Sequence, residues 1–227
     1  MKIYLHEMIR TVPGREEDYM NSVLSVGQGP GRRAGRHWCL GQFRPADTSG
    51  GFPSAINMWE HTWESQAQAL AGQFLAKERN SAMEEWWQRN VDLRRGGYDR
   101  WLVPTDYSPD VAALLEGGVR GRVFWHEILW MPMGTVDAYL EALGERFLPA
   151  AKRFGAQLIG AYRVALRPRQ ALMMLAFQEW DHLARLLEAR ESDPELRDWF
   201  AEREARLQNV EELILLPSRM SPLGIRD

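Results

Sequence analysis

Cysteine is nearly missing from this chain: Cys39 is the only one in 227 residues. A single thiol excludes an intrachain disulfide and a Cys-rich zinc site, and it fits a reducing compartment. Long apolar runs are missing too. No stretch approaches the ~18 residues that a membrane helix needs, and the opening MKIYLHEMIR carries His, Glu and Arg where an export signal would be apolar. These features read as a cytoplasmic protein with no membrane partner. Charge of one sign is also lacking, with 28 Lys and Arg against 31 Asp and Glu and a formal net charge of −3. That balance argues against a nucleic-acid partner, whose phosphates demand a basic surface. GQGPGRRAGR is glycine-rich but precedes a strand pattern rather than a helix, so it is no dinucleotide-binding turn. No Walker, GxSxG, HExxH or CxxC pattern occurs.

What the chain does have is aromatic and thioether bulk: 10 Trp and 10 Met within a 45% hydrophobic composition. Such side chains suit either a core or a pocket for a flat organic ligand. It also has an internal repeat. KIYLHEMIRTVPG from Lys2 lines up with RVFWHEILWMPMG from Arg122, and LGQFR from Leu40 with IGAYR from Ile159. Trp63 answers Trp180, Glu85-Trp86-Trp87 answers Asp198-Trp199-Phe200, and LVPTDYSP from Leu102 answers LLPSRMSP from Leu215. The matches are collinear, and the spacing narrows only where loops fall.

Each copy reads as β-α-β-β-α-β. Strands are predicted near 2–11, 36–44, 54–61 and 97–103, and again near 122–131, 156–164, 171–178 and 210–216. Helices are predicted from Arg15, over 63–74 and 81–93, and in the second copy from Thr135, where Pro149 is expected to kink or break the helix, and over 181–190 and 194–208. The fold class is therefore α+β: two fused ferredoxin-like modules, residues 1–104 and 122–227, joined by a connector over 105–121. A single module leaves one sheet face bare. Packing the two antiparallel sheets together buries both faces and makes an intramolecular α/β barrel. Fusion already satisfies that pairing, which leaves a further homodimer open.

The aromatic first strand running into Pro13-Gly14, the amphipathic helix and the endings LVPTDYSP and LLPSRMSP resemble the dimeric α/β-barrel superfamily, and within it NIPSNAP-like proteins. The resemblance implies a barrel and a choice among cofactor-independent monooxygenase, cyclase, dehydratase or isomerase activity, a haem-dependent enzyme, or a non-catalytic binding or scaffold protein. The chain departs from the NIPSNAP first strand, placing Leu5-His6-Glu7 and Trp125-His126-Glu127 where that family carries Glu-Leu-Arg after the aromatic.

Those doubled pairs are the candidate catalytic residues: His6, Glu7, His126 and Glu127. Histidine relays protons near neutrality, and a buried glutamate with a raised pKa can act as a base. Strand alternation lets only one member of each pair face the barrel interior, and both faces are too apolar for parity to decide which. The expected ligand is an apolar or aromatic small molecule held in a Trp/Met-lined barrel cavity by Tyr4, Trp38, Trp59, His61, Phe124, Trp125 and Trp130. No organic cofactor or metal is required by any motif, while a haem on one axial histidine, or a metal ion held by His6 and His126, stays open. Cys39 reads as a small buried hydrophobe, His182 as solvent-facing, and Arg32, Arg33 and Arg36 as a loop that could meet an acidic ligand group. The copies differ at Leu5/Trp125, Arg10/Trp130 and His37/Gln157, so the pocket is expected to be asymmetric.

Overall fold

A computed structural model of the chain describes residues 1–27, 38–46, 51–52, 54–75 and 81–225. The first repeat contains β1 (Lys2–Thr11), α1 (Glu16–Gly27), β2 (Trp38–Pro45), β3 (Ser54–Thr62), α2 (Trp63–Leu70) followed by a π turn (Ala71–Leu75), α3 (Ser81–Val91) and β4 (Arg94–Pro104). The connector carries α4 (Val111–Glu116). The second repeat contains β5 (Val123–Trp130), α5 (Val136–Ala142), a π turn (Leu143–Phe147), α6 (Leu148–Lys152), β6 (Gln157–Val164), β7 (Gln170–Phe177), α7 (Trp180–Ser192), α8 (Pro194–Arg206) and β8 (Asn209–Pro217). His37 and the Arg32, Arg33 and Arg36 loop lie outside the described residues.

Local chemistry sets several element ends. Glu16, Glu17 and Asp18 place negative charge on the first turn of α1. Thr62 and Ser65 form a reciprocal capping box at α2, and Asp193 caps α8 through the Glu195 and Leu196 amides. The expected break at Pro149 does not occur. Instead the helix widens into the π turn, where the Leu148 amide reaches the Leu143 carbonyl. Pro149, which has no N–H to donate, is then accommodated at the start of α6.

The eight strands form one closed antiparallel barrel in the order β1-β3-β2-β8-β5-β7-β6-β4. Each repeat contributes four consecutive strands in ferredoxin-like order. Two short seams close the barrel: Phe43–Pro45 of β2 against Leu215–Pro217 of β8, and Leu102–Pro104 of β4 against Tyr162–Val164 of β6. The tail after each seam then clasps the other repeat. Ser221 Oγ accepts from the Gln42 amide at 3.1 Å and the Ser218 amide donates to the Gln42 carbonyl at 2.9 Å. Ser108 Oγ accepts from the Ala161 amide at 2.9 Å and the Thr105 amide donates to the Ala161 carbonyl at 3.0 Å. The repeated endings are thus the polar lock between the halves.

Closure fixes strand parity. Tyr4, His6 and Met8 of β1 and Phe124, His126 and Ile128 of β5 face the lumen, sharing it with Phe43, Ile56, Met58, Leu102, Tyr162, Met174, Leu213 and Leu215. Val111 and Leu114 of α4, with Leu223, cap one end. The expected Trp/Met-lined cavity is corrected here: the lumen is filled, Met58, Phe124 and Tyr162 having no exposed surface. Two of the four tryptophans expected to line it lie instead on the outer, helix-covered faces, Trp125 in the second repeat and Trp59 in the first.

The LGQFR and IGAYR motifs explain how so many rings fit. Each carries a β-bulge, between Cys39 and Gly41 and between Leu158 and Gly160. The ring two residues on folds back over the glycine. A Cβ on Gly41 would sit 2.2 Å from the Phe43 ring, and one on Gly160 would sit 2.0 Å from the Tyr162 hydroxyl. Phe43 then packs on Phe124 at 4.7 Å between centroids and Tyr162 on Tyr4 at 5.1 Å, each ring reaching the opposite repeat. Gly41→Ala and Gly160→Ala should each lower stability by about 2 kcal/mol in urea unfolding, because the ring has no vacant space to enter. Gly72→Ala, whose Cβ would meet nothing within 4 Å, should be close to neutral.

Candidate functional site

The four residues of the doubled His-Glu pairs divide between two environments. His6 and His126 meet at the centre of the lumen with Nε2 atoms 3.0 Å apart and rings 4.9 Å and 13° from parallel stacking. Neither has exposed surface. One N–H lies between the two Nε2 atoms, and each Nδ1 is without a partner among the described residues. Desolvation drives both below the usual histidine range. For His6 the charges of His126 and Arg100 add to this, and His126, with Arg100 as the second cause, falls to about 3. Two neutral imidazoles therefore bridge the repeats across an apolar interior. Lumen side chains enclose both rings. Among the described residues no three His, Cys, Asp or Glu groups gather as a metal set.

Glu7 and Glu127 point the other way, beneath the helices, and there the repeats diverge. Glu127 is 2% exposed and lies 2.9 Å from Arg203, itself 4% exposed. Glu212 lies opposite Glu127 on β8 and pairs with Arg203 at 2.9 Å. Desolvation raises Glu127 to about 8 against the pull of Arg203, and the neighbouring Glu212 raises it further. Trp125 stacks on Phe200 above this network, and Phe147 and Trp199 complete a sealed layer.

Glu7 sits at the equivalent place with no cation in ion-pair range among the described residues. It accepts from Trp59 Nε1 at 2.8 Å and Asn57 Nδ2 at 3.2 Å. Gln42 Nε2 donates to Asn57 Oδ1 at 3.1 Å and to the Met20 carbonyl at 3.0 Å, tying the set to α1. Tyr19 of α1 also hydrogen-bonds Asn57. Asp99 faces Glu7 across β4, as Glu212 faces Glu127. Desolvation raises Glu7, the Trp59 hydrogen bond opposes it, and the Asp99 charge raises it further. Asp99 is raised too, by partial desolvation, with Arg94 opposing.

Leu5 and Glu7 are partly exposed although β1 is flanked by strands on both sides, whereas Trp125 and Glu127 in the twin are buried. Leu5 and Glu7 therefore keep some solvent contact on the helix side of the first sheet. Trp59 and Trp101 flank Leu5 across the neighbouring strands, and Trp63 of α2 meets Trp101 edge-on at 5.3 Å. A carboxyl with a raised pKa, held by two donors beside aromatic walls, can take a proton from a weakly acidic organic molecule.

The other candidate residues are dispersed. Tyr4 donates to Glu60 at 2.9 Å inside the lumen. Phe124 is lumen core, and Trp130 packs partly buried at its edge. His61 is buried, opposite Ile3. Trp38 begins β2, and its side chain lies outside the described ones. Cys39 is partly exposed on the helix side, its thiol pushed up to about 12 by desolvation. His182 is not fully solvent-facing: it is partly buried, and its ring lies where a Gly155 Cβ would fall. Sequence reasoning missed Asn57, Asp99 and Trp101. The repeat alignment held one signal for them, since it sets Asp99 against Glu212, but without strand register neither could be paired with its glutamate.

No protein-family model matches the chain, and no curated protein matches it by sequence. Solved structures do. A protein of Lactobacillus acidophilus, named provisionally as a monooxygenase, aligns with TM-score 0.63 at 9% identity over 96% of this chain and 94% of its own. An anthrone oxidase-like protein aligns with TM-score 0.64 at 9% identity over 95% and 91%. A NIPSNAP family protein of Agrobacterium tumefaciens aligns with TM-score 0.40 at 22% identity over 44% of this chain and 97% of its own. The fold shared with the first two is the ferredoxin-like α/β barrel closed within one chain. Among the described residues no helix is long and apolar enough to cross a membrane.

The two buried pairs give opposite pH signatures. Lowered histidine pKa values mean stability that is complete above about pH 6.5 and lost as pH falls. His126→Gln, which keeps a donor near Nε2, should flatten the fall in Tm between pH 6 and 3. The raised Glu127 pKa means stability present below about pH 4.5 and lost as pH rises through about 8. Glu127→Gln should flatten the alkaline side of the same Tm profile.

Proposed function

We propose that this chain is a small-molecule enzyme whose reacting centre lies around Glu7, on the helix side of the first sheet. Glu7 is its proton acceptor, positioned by Trp59 and Asn57. The observation that carries this reading is the contrast between twins: Glu127 is sealed and paired with Arg203, while Glu7 keeps solvent contact and has no such partner among the described residues. A structural role would have favoured the same pairing in both. The acceptor is Glu7 rather than His6 or His126, because the imidazoles have no exposed atom for a substrate to meet. Leu5, Trp59 and Trp101 suit a flat apolar or aromatic substrate. Once such a molecule loses an acidic C–H or O–H proton to Glu7, its carbanion or phenolate is electron-rich enough to react with O2 without an organic cofactor. The fold-level likeness to monooxygenase-type structures favours oxygenation over cyclisation or isomerisation.

Anthrone serves as a test substrate, consuming one O2 and giving anthraquinone and water. Oxygen uptake and quinone absorbance should show turnover in the wild type and a loss of about 10²-fold or more in Glu7→Gln. Glu127→Gln should stay within about twofold of the wild type, as expected of a surface-remote substitution in the folded chain. Leu5→Trp, which copies the sealed twin, should abolish quenching of tryptophan fluorescence by anthraquinone. Equal effects of the two glutamate substitutions, or undiminished quenching in Leu5→Trp, would overturn the reading.

A further inference from the structure

The end of the barrel opposite α4 is not closed like the other. The β4–β6 seam stops at Leu102, so Tyr98 to Trp101 have β1 on one side and no strand on the other. The turn between β6 and β7 crosses this parted edge, where the Ala165 amide donates to the Trp101 carbonyl at 2.7 Å. That turn holds Leu166 at φ +62°, a left-handed conformation that a branched, 89% exposed leucine does not favour. The strained turn sets the Arg167 guanidinium over the Tyr98 ring, 4.2 Å from its centroid.

Arg100 reaches the same ring from inside. It projects into the lumen beside His6, only 5% exposed, and its guanidinium lies 4.4 Å from the Tyr98 centroid. Among the described residues its hydrogen bond is to the Met8 sulfur at 3.4 Å, and its Nε has no partner. Arg167 Nη1 is likewise buried without a partner among them. Glu211 of β8 acts on Arg100 only at a distance and forms no ion pair with either arginine among the described residues. Two guanidinium groups therefore converge on one aromatic ring with no anion in ion-pair range among the described residues. The twin of Arg100 is Leu213, which faces His126 as Arg100 faces His6, so the charge is no requirement of barrel closure. A buried charge without a counter-charge is costly and calls for one.

We infer that the parted end of the barrel is a binding site for the carboxylate or phosphate group of a small molecule, gripped between Arg100 and Arg167 against Tyr98. It lies on the lumen side of the first sheet and is separate from Glu7 on the opposite face. Planar guanidinium forks match both kinds of oxyanion, and the aromatic ring with Met8 favours an organic body behind the anionic group.

The test uses inorganic phosphate and benzoate as separate probes at ionic strength matched with sodium chloride. Binding of either should raise Tm saturably and move the ring resonances of His6 and His126, which lie next to Arg100; the stronger probe identifies the headgroup. Arg100→Met should raise Tm of the anion-free protein by removing the uncompensated charge. It should also weaken probe binding about tenfold or more. Arg167→Gln should weaken binding as well, and Arg169→Gln, on the exposed side of the same turn, should not. Glu7→Gln should leave the response intact, which separates this site from the proposed reaction centre. The inference falls if neither probe binds, if the histidine resonances stay still, if Arg100→Met responds like the wild type, or if it lowers Tm without anion.

Discussion

The hydrogen-bonded closure of two four-stranded sheets into one barrel is the constraint from which the rest of the structure follows. Each sheet alone would leave an apolar face in water. Joining β2 to β8 and β4 to β6 buries both faces at once and commits every strand residue to the lumen or the helix layer. The seams are only a few residues long, and the Ser108 and Ser221 clasps extend them at the bulges where ladder pairing has stopped. Closure also forces His6 and His126 together, and so makes neutral imidazoles part of the interface rather than a solvent-facing dyad.

With the lumen filled, the repeats differ in their outer layers. The second repeat packs Trp125, Phe147, Trp199 and Phe200 over a carboxyl pair that Arg203 joins. The first repeat keeps the equivalent pair, Glu7 and Asp99, without such a cation among the described residues, and has the smaller Leu5 where its twin has Trp125. The same divergence appears inside the barrel, where Arg100 and Tyr98 of β4 stand opposite Leu213 and Glu211 of β8.

Much of the architecture was legible because it rests on local rules. Short apolar runs rich in β-branched and aromatic residues marked the strands, and collinear motifs marked the duplication. The endings LVPTDYSP and LLPSRMSP were visible as repeats, and the structure supplies their cause: each serine locks the other repeat's edge strand. The asymmetry at Leu5 and Trp125 was visible as well, and it turns out to separate an open layer from a sealed one.

The location of the site was not legible. Both faces of β1 and β5 are apolar, so the chain order Leu5-His6-Glu7 carries no information about which side turns inward. Lumen and helix layer differ in what covers them, and that cover comes from residues a hundred or more positions away. The sequence by itself determined that two ferredoxin-like modules are present and that a His-Glu pair recurs on each first strand. Only the tertiary structure decided that the histidines seal the interior, that Glu7 meets Asp99, Asn57 and Trp59, and that Arg100 forms no ion pair among the described residues. The physical reason is register: which side chains face one another across a sheet depends on strand pairing, and pairing is settled by closing the whole barrel rather than by any one strand.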